Sequence, residues 1–174
     1  MKKVIVYSLI LFGLILGCKS NSSSKSNVLT IALEPKSNSN VTGTATFSEK
    51  NGMVTFEAKI SGLKPGVHAI HIHEKADCSS GDAASAGGHW NPTLTKHGKW
   101  TDADHHKGDI GNFTADEKGN GTITLKTDEW CIGCGDTNKD ILGKGLIVHD
   151  KADDFITQPT GNAGARVACS AIIK

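Results

Sequence analysis

Histidine is concentrated in one stretch of this chain, and that concentration limits what the chain can fold around. Seven of the eight histidines lie between residues 66 and 109, and the eighth, His149, lies far downstream. Imidazole is the commonest protein ligand for zinc and copper, so this density predicts a metal site. Solvated surface histidines in polar loops are the alternative, which the structured spacing of the histidines disfavours.

Alternating apolar and polar residues predict an all-β fold around these histidines. Residues 54–60 alternate as a half-buried strand does, and turn sequences such as Glu49-Lys-Asn-Gly52 separate neighbouring candidates. We expect an antiparallel sandwich or flattened barrel with a long irregular loop between Cys78 and about Asp109. The eight expected strands are 28–33, 42–48, 54–60, 68–74, 113–115, 122–127, 145–149 and 166–173.

Chain length and charge limit the number of domains and the kinds of partner that this chain is expected to have. The 174 residues are enough for one domain with a substantial core, expected at 28–174. Lysine and arginine (19) nearly balance aspartate and glutamate (18), so the composition gives no indication of a nucleic-acid partner.

The N-terminal residues predict export. Two lysines precede an apolar run, Val4 to Leu16, that is too short to span a bilayer by itself. The run ends at Gly17-Cys18, which resembles a bacterial lipobox, where the cysteine is lipidated. We expect a lipoprotein signal peptide at 1–17, lipidated Cys18 with a flexible Ser/Asn-rich tether at 18–27, and a membrane-anchored, periplasm-facing protein of a bacterial cell envelope. A soluble secreted or periplasmic protein, cleaved without lipid, is the alternative.

Lipidation of Cys18 would leave four cysteines in an oxidising compartment, where disulfides persist. Four cysteines allow three pairings, and spacing alone does not choose between them. Cys131 and Cys134 form a CxxC pair, which is compatible with a disulfide, half a zinc site or a redox pair. We expect a local disulfide, with copper handling as an alternative.

The spacing of the histidines also indicates which of them can bind a metal together. His71 and His73 are two apart on an expected strand, so their side chains share a face, whereas His68 faces the opposite way. For His68 we expect a structural role, hydrogen-bonded inside the fold, in preference to metal ligation. Nitrogen-only coordination suits copper. Three nitrogens and one carboxylate oxygen form a closed four-ligand set that suits a structural zinc. The loop offers such a set in His89, His97, His106 and Asp109.

Six motifs, occurring in order, make the chain similar to the copper/zinc superoxide dismutase family, and in particular to its bacterial exported members. The resemblance covers about residues 28–174 and implies a Greek-key β-sandwich. The motifs are His71-Ile-His73, Gly88-His89-Trp-Asn-Pro92, Lys96-His97-Gly98, His106-Lys-Gly-Asp109-Ile-Gly-Asn112, Val148-His149-Asp-Lys-Ala-Asp153-Asp154 and Gly161-Asn-Ala-Gly-Ala-Arg166-Val-Ala-Cys169.

The resemblance implies an oxidoreductase that converts two superoxide anions and protons into dioxygen and hydrogen peroxide, through alternating reduction and oxidation of copper. Zinc would order the loop. The implied copper ligands are His71, His73, His89 and His149. The implied zinc ligands are His89, His97, His106 and Asp109, so His89 would bridge the two metals. His105 competes with His106, but the three-residue offset to Asp109 favours His106.

Further residues acquire roles only through the resemblance. His89 would supply a proton and Arg166 would guide and bind superoxide, which makes both catalytic. Asp153 would accept hydrogen bonds from His71 and His97 and so orient their rings. A metal-delivery protein of this fold would be expected to lack the arginine or a copper ligand, and neither is missing. A structural envelope lipoprotein would not need these histidines.

The resemblance also implies a disulfide between Cys78 and Cys169. The CxxC pair is not part of the family pattern. The segment between Asp154 and Arg166 is short and carries no lysine or glutamate, so fewer groups would steer superoxide. Family dimers form through different surfaces, and a monomer or a homodimer is equally compatible with this sequence.

Overall fold

Eight antiparallel strands form a closed barrel in the computed structural model, which describes residues 26–174. The expected signal peptide, the lipidation site Cys18 and nearly all of the tether lie outside the described residues. The strands are β1 (Asn27–Pro35), β2 (Thr42–Lys50), β3 (Met53–Ser61), β4 (Gly66–His73), β5 (Gly111–Ala115), β6 (Gly121–Thr127), β7 (Lys144–His149) and β8 (Arg166–Ile172). They differ from the expected strands only at their ends. The all-β prediction is confirmed.

The barrel order is β1-β2-β3-β6-β5-β4-β7-β8. The connections from β3 to β4 and from β6 to β7 therefore cross over other strands, as in a Greek key. One turn of 3-10 helix, Ala84–Ala86, interrupts the long loop after β4. Between residues 26 and 174 there is no helix whose length and apolar character would allow it to cross a membrane.

The alternating apolar and polar residues of β3 are alternately buried and more exposed, as the sequence predicts. Val54, Phe56, Ala58 and Ile60 are buried in the barrel core, while the residues between them are more exposed. The preceding turn joins Lys50 to Met53 through Asn51-Gly52, and both turn residues have positive φ. Such turns match the twist of the strands they join, so the turn helps to set the register of the hairpin.

Strand β4 separates the core from the histidine cluster. Ile70 and Ile72 lie in the barrel core. Side chains alternate along a strand, so His71 and His73 point to the outer face. These two histidines are nevertheless almost completely buried, because two segments cover them. We call residues 74–110 the long loop and residues 150–165 the channel loop.

Two disulfides are present in the described residues. Cys78 of the long loop is joined to Cys169 of β8, which connects the loop to the barrel wall. Cys131 is joined to Cys134 within the β6–β7 connection. Among the three pairings that the sequence allows, the structure thus contains the one that the family resemblance and the local CxxC spacing indicate.

Candidate metal centre

Two groups of potential metal ligands adjoin each other on the outer face of β4. Within each group, one ligand atom per residue lies within 4.8 Å of all the others. The first group consists of His71, His73, His89 and His149. The second group consists of His89, His97, His106 and Asp109. The structure therefore brings together all seven ligands expected from the sequence, and all seven are buried.

Unpartnered nitrogens in the first group fit a metal such as copper. His71 Nδ1 and the Nε2 atoms of His73, His89 and His149 have no hydrogen-bond partner within residues 26–174. Three of the rings use their other nitrogen for the protein: His71 Nε2 contacts Asp153, His73 Nδ1 contacts the Gly87 carbonyl, and His149 Nδ1 lies 3.5 Å from the Gly164 carbonyl. Buried polar atoms are rarely left unpaired, so these converging nitrogens indicate a ligand.

Asp109 organises the second group. Its Oδ1 atom lies 2.8 Å from His89 Nδ1, and its Oδ2 atom accepts hydrogen bonds from the backbone N–H groups of His106 and Gly98. The Nδ1 atoms of His97 and His106 lie 3.0 and 3.3 Å from the same carboxylate. Burial tends to raise the pKa of Asp109, but its close contacts with the histidines outweigh burial and hold that pKa well below its usual range. A carboxylate with three imidazole nitrogens around it fits zinc.

His89 belongs to both groups because of the path of its backbone. The Trp90 N–H donates to the Ile72 carbonyl, and the Glu74 N–H donates to the Gly88 carbonyl, so residues 88–90 run alongside the end of β4. The His89 ring centroid lies 4.0 Å from that of His71 and 5.3 Å from that of His97. Its Nε2 atom faces the first group and its Nδ1 atom faces Asp109. One imidazole thus offers a nitrogen to each group.

Burial keeps His73, His89 and His149 of the first group neutral. It lowers the pKa of His73 and His149 well below the usual range, because a buried imidazolium would lose its hydration. The same cause lowers the pKa of His89 to about 3. Burial also acts on His97, but neighbouring carboxylates outweigh it and raise its pKa to about 9. His73, His89 and His149 therefore offer nitrogen lone pairs at neutral pH without proton release.

Asp153 connects the two groups. Its Oδ2 atom lies 2.8 Å from His71 Nε2, and its Oδ1 atom lies 2.9 Å from His97 Nε2. The Asn112 side chain fixes the Asp153 backbone through two hydrogen bonds of 2.8 Å. Its Oδ1 atom accepts from the Asp153 N–H, and its Nδ2 atom donates to the Asp153 carbonyl. Burial tends to raise the pKa of Asp153, but the histidines outweigh it and lower the pKa. One fixed carboxylate therefore orients a ring of each group.

Arg166 lies at the entrance to the first group. Its Nη1 and Nη2 atoms donate to the carbonyls of Ala83 and Gly87 at 2.7 and 2.8 Å. The Gly87 carbonyl also accepts from His73, so the arginine and this histidine are positioned by the same atom. Arg166 and Lys151 line an open cavity of about 550 Å³, which reaches His73 and His149. A small anion entering this cavity meets two cationic side chains before it meets the histidines.

Three further candidates take no part in the two groups. His68 is buried and contacts the carbonyls of Lys64 and His149, which fits the structural role expected for it. His105 lies near Glu129, outside both groups of the described chain. Cys131, Cys134 and Asp140 form a third cluster, but the two sulfurs are bonded to each other.

Two positions around His97 were not anticipated from the sequence. Gln158 pairs with both backbone groups of His97. Gly161 has a φ of +65°, and a Cβ atom there would overlap the Asp153 carboxylate and lie 2.6 Å from His97 Nε2. A polar loop residue and a loop glycine are common in any protein, so neither residue type carries a usable signal in the sequence.

Gly161→Ala is expected to destabilise the metal-free protein more than Gly135→Ala. Both positions have positive φ, but a Cβ atom at Gly135 meets nothing within 4 Å. The control substitution therefore costs about 1–2 kcal/mol from backbone strain alone. At Gly161 the overlap with the buried carboxylate adds about 1–3 kcal/mol. Denaturant unfolding of both variants measures the difference, and equal losses would show that Gly161 has no packing role at Asp153.

Comparisons with known proteins agree with this geometry. A sequence profile described as copper/zinc superoxide dismutase (SODC) matches residues 41–172. The chain is 36% identical over 136 residues to the extracellular superoxide dismutase (Cu-Zn) of Caenorhabditis elegans, a match covering 75% of this chain and 60% of the relative. It is 40% identical over 141 residues to superoxide dismutase (Cu-Zn) 4 of Dictyostelium discoideum, covering 77% of this chain and 91% of the relative. The profile match, the barrel and the two adjoining ligand groups establish that the chain belongs to the copper/zinc superoxide dismutase family.

Proposed function

We propose that this chain dismutates superoxide at a copper held by the first group of ligands, beside a zinc held by the second. The observation that carries the proposal is the pair of buried four-ligand groups that share His89. When bound, copper supplies one-electron chemistry, so that one superoxide leaves as dioxygen and a second, with two protons, leaves as hydrogen peroxide.

The ligand assignment follows the free nitrogens. The copper ligands are His71 through Nδ1 and His73, His89 and His149 through Nε2. The zinc ligands are His89, His97 and His106 through Nδ1, together with the carboxylate of Asp109. Nitrogens alone suit copper, and the mixed set without an open position suits structural zinc. Bound zinc would order the long loop, which supplies all four of its proposed ligands.

Arg166 receives the substrate in this proposal. Its guanidinium is positively charged at any working pH and is held by two backbone carbonyls at the cavity wall. Lys151 adds a second positive charge to the same wall. Superoxide is an anion, so the two charges raise its local concentration in a cavity with few other steering groups.

The shared histidine is the proposed proton donor. Nε2 of His89 faces the other ligands of the first group, while Nδ1 lies against Asp109, so the ring can be held through one nitrogen while the other carries a proton. Unchanged pH dependence of turnover in zinc-free protein would exclude this role, because zinc is what would hold the ring in place.

The direct test is reconstitution of the purified protein with copper and zinc, followed by superoxide decay measured by pulse radiolysis. We expect a rate proportional to bound copper and approaching the diffusional ceiling of about 10⁸–10⁹ M⁻¹s⁻¹. Zinc-only protein should leave the spontaneous decay unchanged. Protein that binds both metals but does not accelerate decay would refute the proposal and favour a role in metal delivery.

Arg166→Gln is expected to lower the second-order rate constant for superoxide by about tenfold or more, since electrostatic steering contributes roughly 10–10³ to such rates. The remaining rate should also depend less on ionic strength. Lys118→Gln removes the same charge from the exposed β5–β6 turn and is the matched control. Rate constants measured at several salt concentrations test this. Equal effects of the two substitutions would indicate that net charge, not Arg166, guides the anion.

We also propose that the chain is an exported bacterial lipoprotein anchored through Cys18, with the metal-binding domain at 28–174. The basic, apolar and Gly17-Cys18 segments support this, and the two disulfides fit an oxidising compartment. The C. elegans relative is itself described as extracellular. Cys18→Ser should move the protein from the membrane fraction to the soluble fraction of fractionated cells. Wild-type protein found only in the soluble fraction would support cleavage without lipid instead.

A further inference from the structure

The side chain of Gln158 forms a two-point contact with the backbone of His97. Its Oε1 atom accepts the His97 N–H at 2.8 Å, and its Nε2 atom donates to the His97 carbonyl at 2.9 Å. Because one end of the amide accepts and the other donates, the orientation of the side chain is determined by its partners. Nε2 also lies 3.4 Å from the Ile156 carbonyl. No other side chain of the described residues contacts both backbone groups of His97.

The channel loop therefore holds His97 at three points. Gln158 fixes its backbone N–H and carbonyl, and Asp153 fixes its Nε2 atom at 2.9 Å. The nitrogen left free is Nδ1, which faces the proposed zinc ligands. Asp153 alone can orient the ring, but it cannot prevent the backbone of the long loop from withdrawing. Gln158 acts on that backbone.

Gln158 is itself held in place by a compact turn. The Asp154 carboxylate accepts hydrogen bonds from the N–H groups of Ile156 and Thr157 and from the Thr157 hydroxyl. The Gly161 N–H closes the turn by donating to the Thr157 carbonyl at 2.7 Å. Thr160 within this turn and Asn162 just after it line the cavity that reaches the proposed copper ligands. The channel loop thus contacts the zinc group on one side and forms the cavity wall on the other.

We propose that Gln158 is a positioning residue that retains zinc by fixing the backbone of His97, and that it couples zinc binding to the cavity wall. The inference rests on the zinc assignment made above. Outer contacts of this kind typically change metal affinity by about 10–100-fold, and the exposure of Gln158 to water places the expected effect at the lower end.

The test measures zinc release to a chromogenic chelator from the fully metallated protein. Gln158→Met keeps the size of the side chain and loses both hydrogen bonds, so zinc should leave about tenfold faster than from the wild type. Gln158→Glu keeps the acceptor for the His97 N–H but directs a second oxygen at the His97 carbonyl, so zinc should again leave faster than from the wild type. Ile156→Thr, at a position 80% exposed in the same loop, is the control and should release zinc at the wild-type rate.

Two further readouts separate positioning from general destabilisation. Cobalt placed in the zinc group reports ligand geometry through its visible spectrum, which should shift in Gln158→Met and not in Ile156→Thr. Copper content and the thermal unfolding midpoint of the metal-free protein should match between the two variants. Equal zinc release from Gln158→Met and wild type would overturn the inference while leaving the zinc site intact. Wild-type protein that takes up no zinc would refute the zinc assignment itself, and the inference with it.

Discussion

His149→Ala should remove copper and reduce superoxide dismutation by at least about 100-fold, while zinc remains bound. Even outer contacts of metal sites typically contribute 10–100-fold, so the loss of one of four direct ligands should exceed that range. His149 Nε2 is buried without a hydrogen-bond partner in the described chain, and it converges with His71, His73 and His89. His149 is not a member of the second group, so zinc should stay bound there when its side chain is removed.

The control for this substitution is His105→Ala. His105 lies in the long loop beside the proposed zinc ligand His106, yet its ring contacts Glu129 and the Asp102 carbonyl. Removal of this imidazole should leave both metals and the rate unchanged. Metal analysis and superoxide decay measured on the same samples test the pair. Retention of copper and activity by His149→Ala would show that the first group is not the copper site.

Asp153→Asn should weaken both metal sites at once, by about 10–100-fold each. The carboxylate accepts from His71 Nε2 and His97 Nε2 through its two oxygens, and Oδ1 also accepts the Phe155 N–H at 2.7 Å. An asparagine amide has one oxygen and one NH₂ group, so its NH₂ group would face the N–H of one ring and repel it. Its neutral oxygen would accept from the other ring more weakly than a carboxylate oxygen does. Both rings are then held less firmly towards their metals.

Asp116→Asn is the matched control. Asp116 is exposed in the β5–β6 turn, where its side chain accepts hydrogen bonds from the backbone N–H groups of Lys118 and Asn120. Metal affinities from competition titrations should change little there. In Asp153→Asn, activity per bound copper should fall less than metal retention does. A defect confined to one metal would contradict the view that this carboxylate links the two sites.

Local patterns in the sequence predicted the strands well, because alternation follows directly from burial on one face. The alternation of Val54 to Ile60 and the Asn51-Gly52 turn both have the expected structure. Barrel order was not accessible in this way. Periodicity determines which face of a strand is buried but not which strand lies beside it, so the pairing of β3 with β6 could not be derived.

In the candidate site, too, local features could be predicted from the sequence and long-range contacts could not. The spacing of His71 and His73 predicted a shared face, and the structure places both in one ligand group. His149 lies on another strand, and only the family resemblance connected it to them. The contacts of Gln158 and Gly161 depend on how two loops meet, which no local pattern describes. The pairing of Cys78 with Cys169 likewise required the fold or the resemblance.

The shared position of His89 is the central claim, and anomalous X-ray diffraction at the copper and zinc absorption edges tests it most directly. Crystals of the metallated protein should show two ions on opposite sides of the His89 ring. Copper should lie at Nε2 with His71, His73 and His149, and zinc at Nδ1 with His97, His106 and Asp109. A single ion, or two ions of which only one contacts His89, would contradict the account.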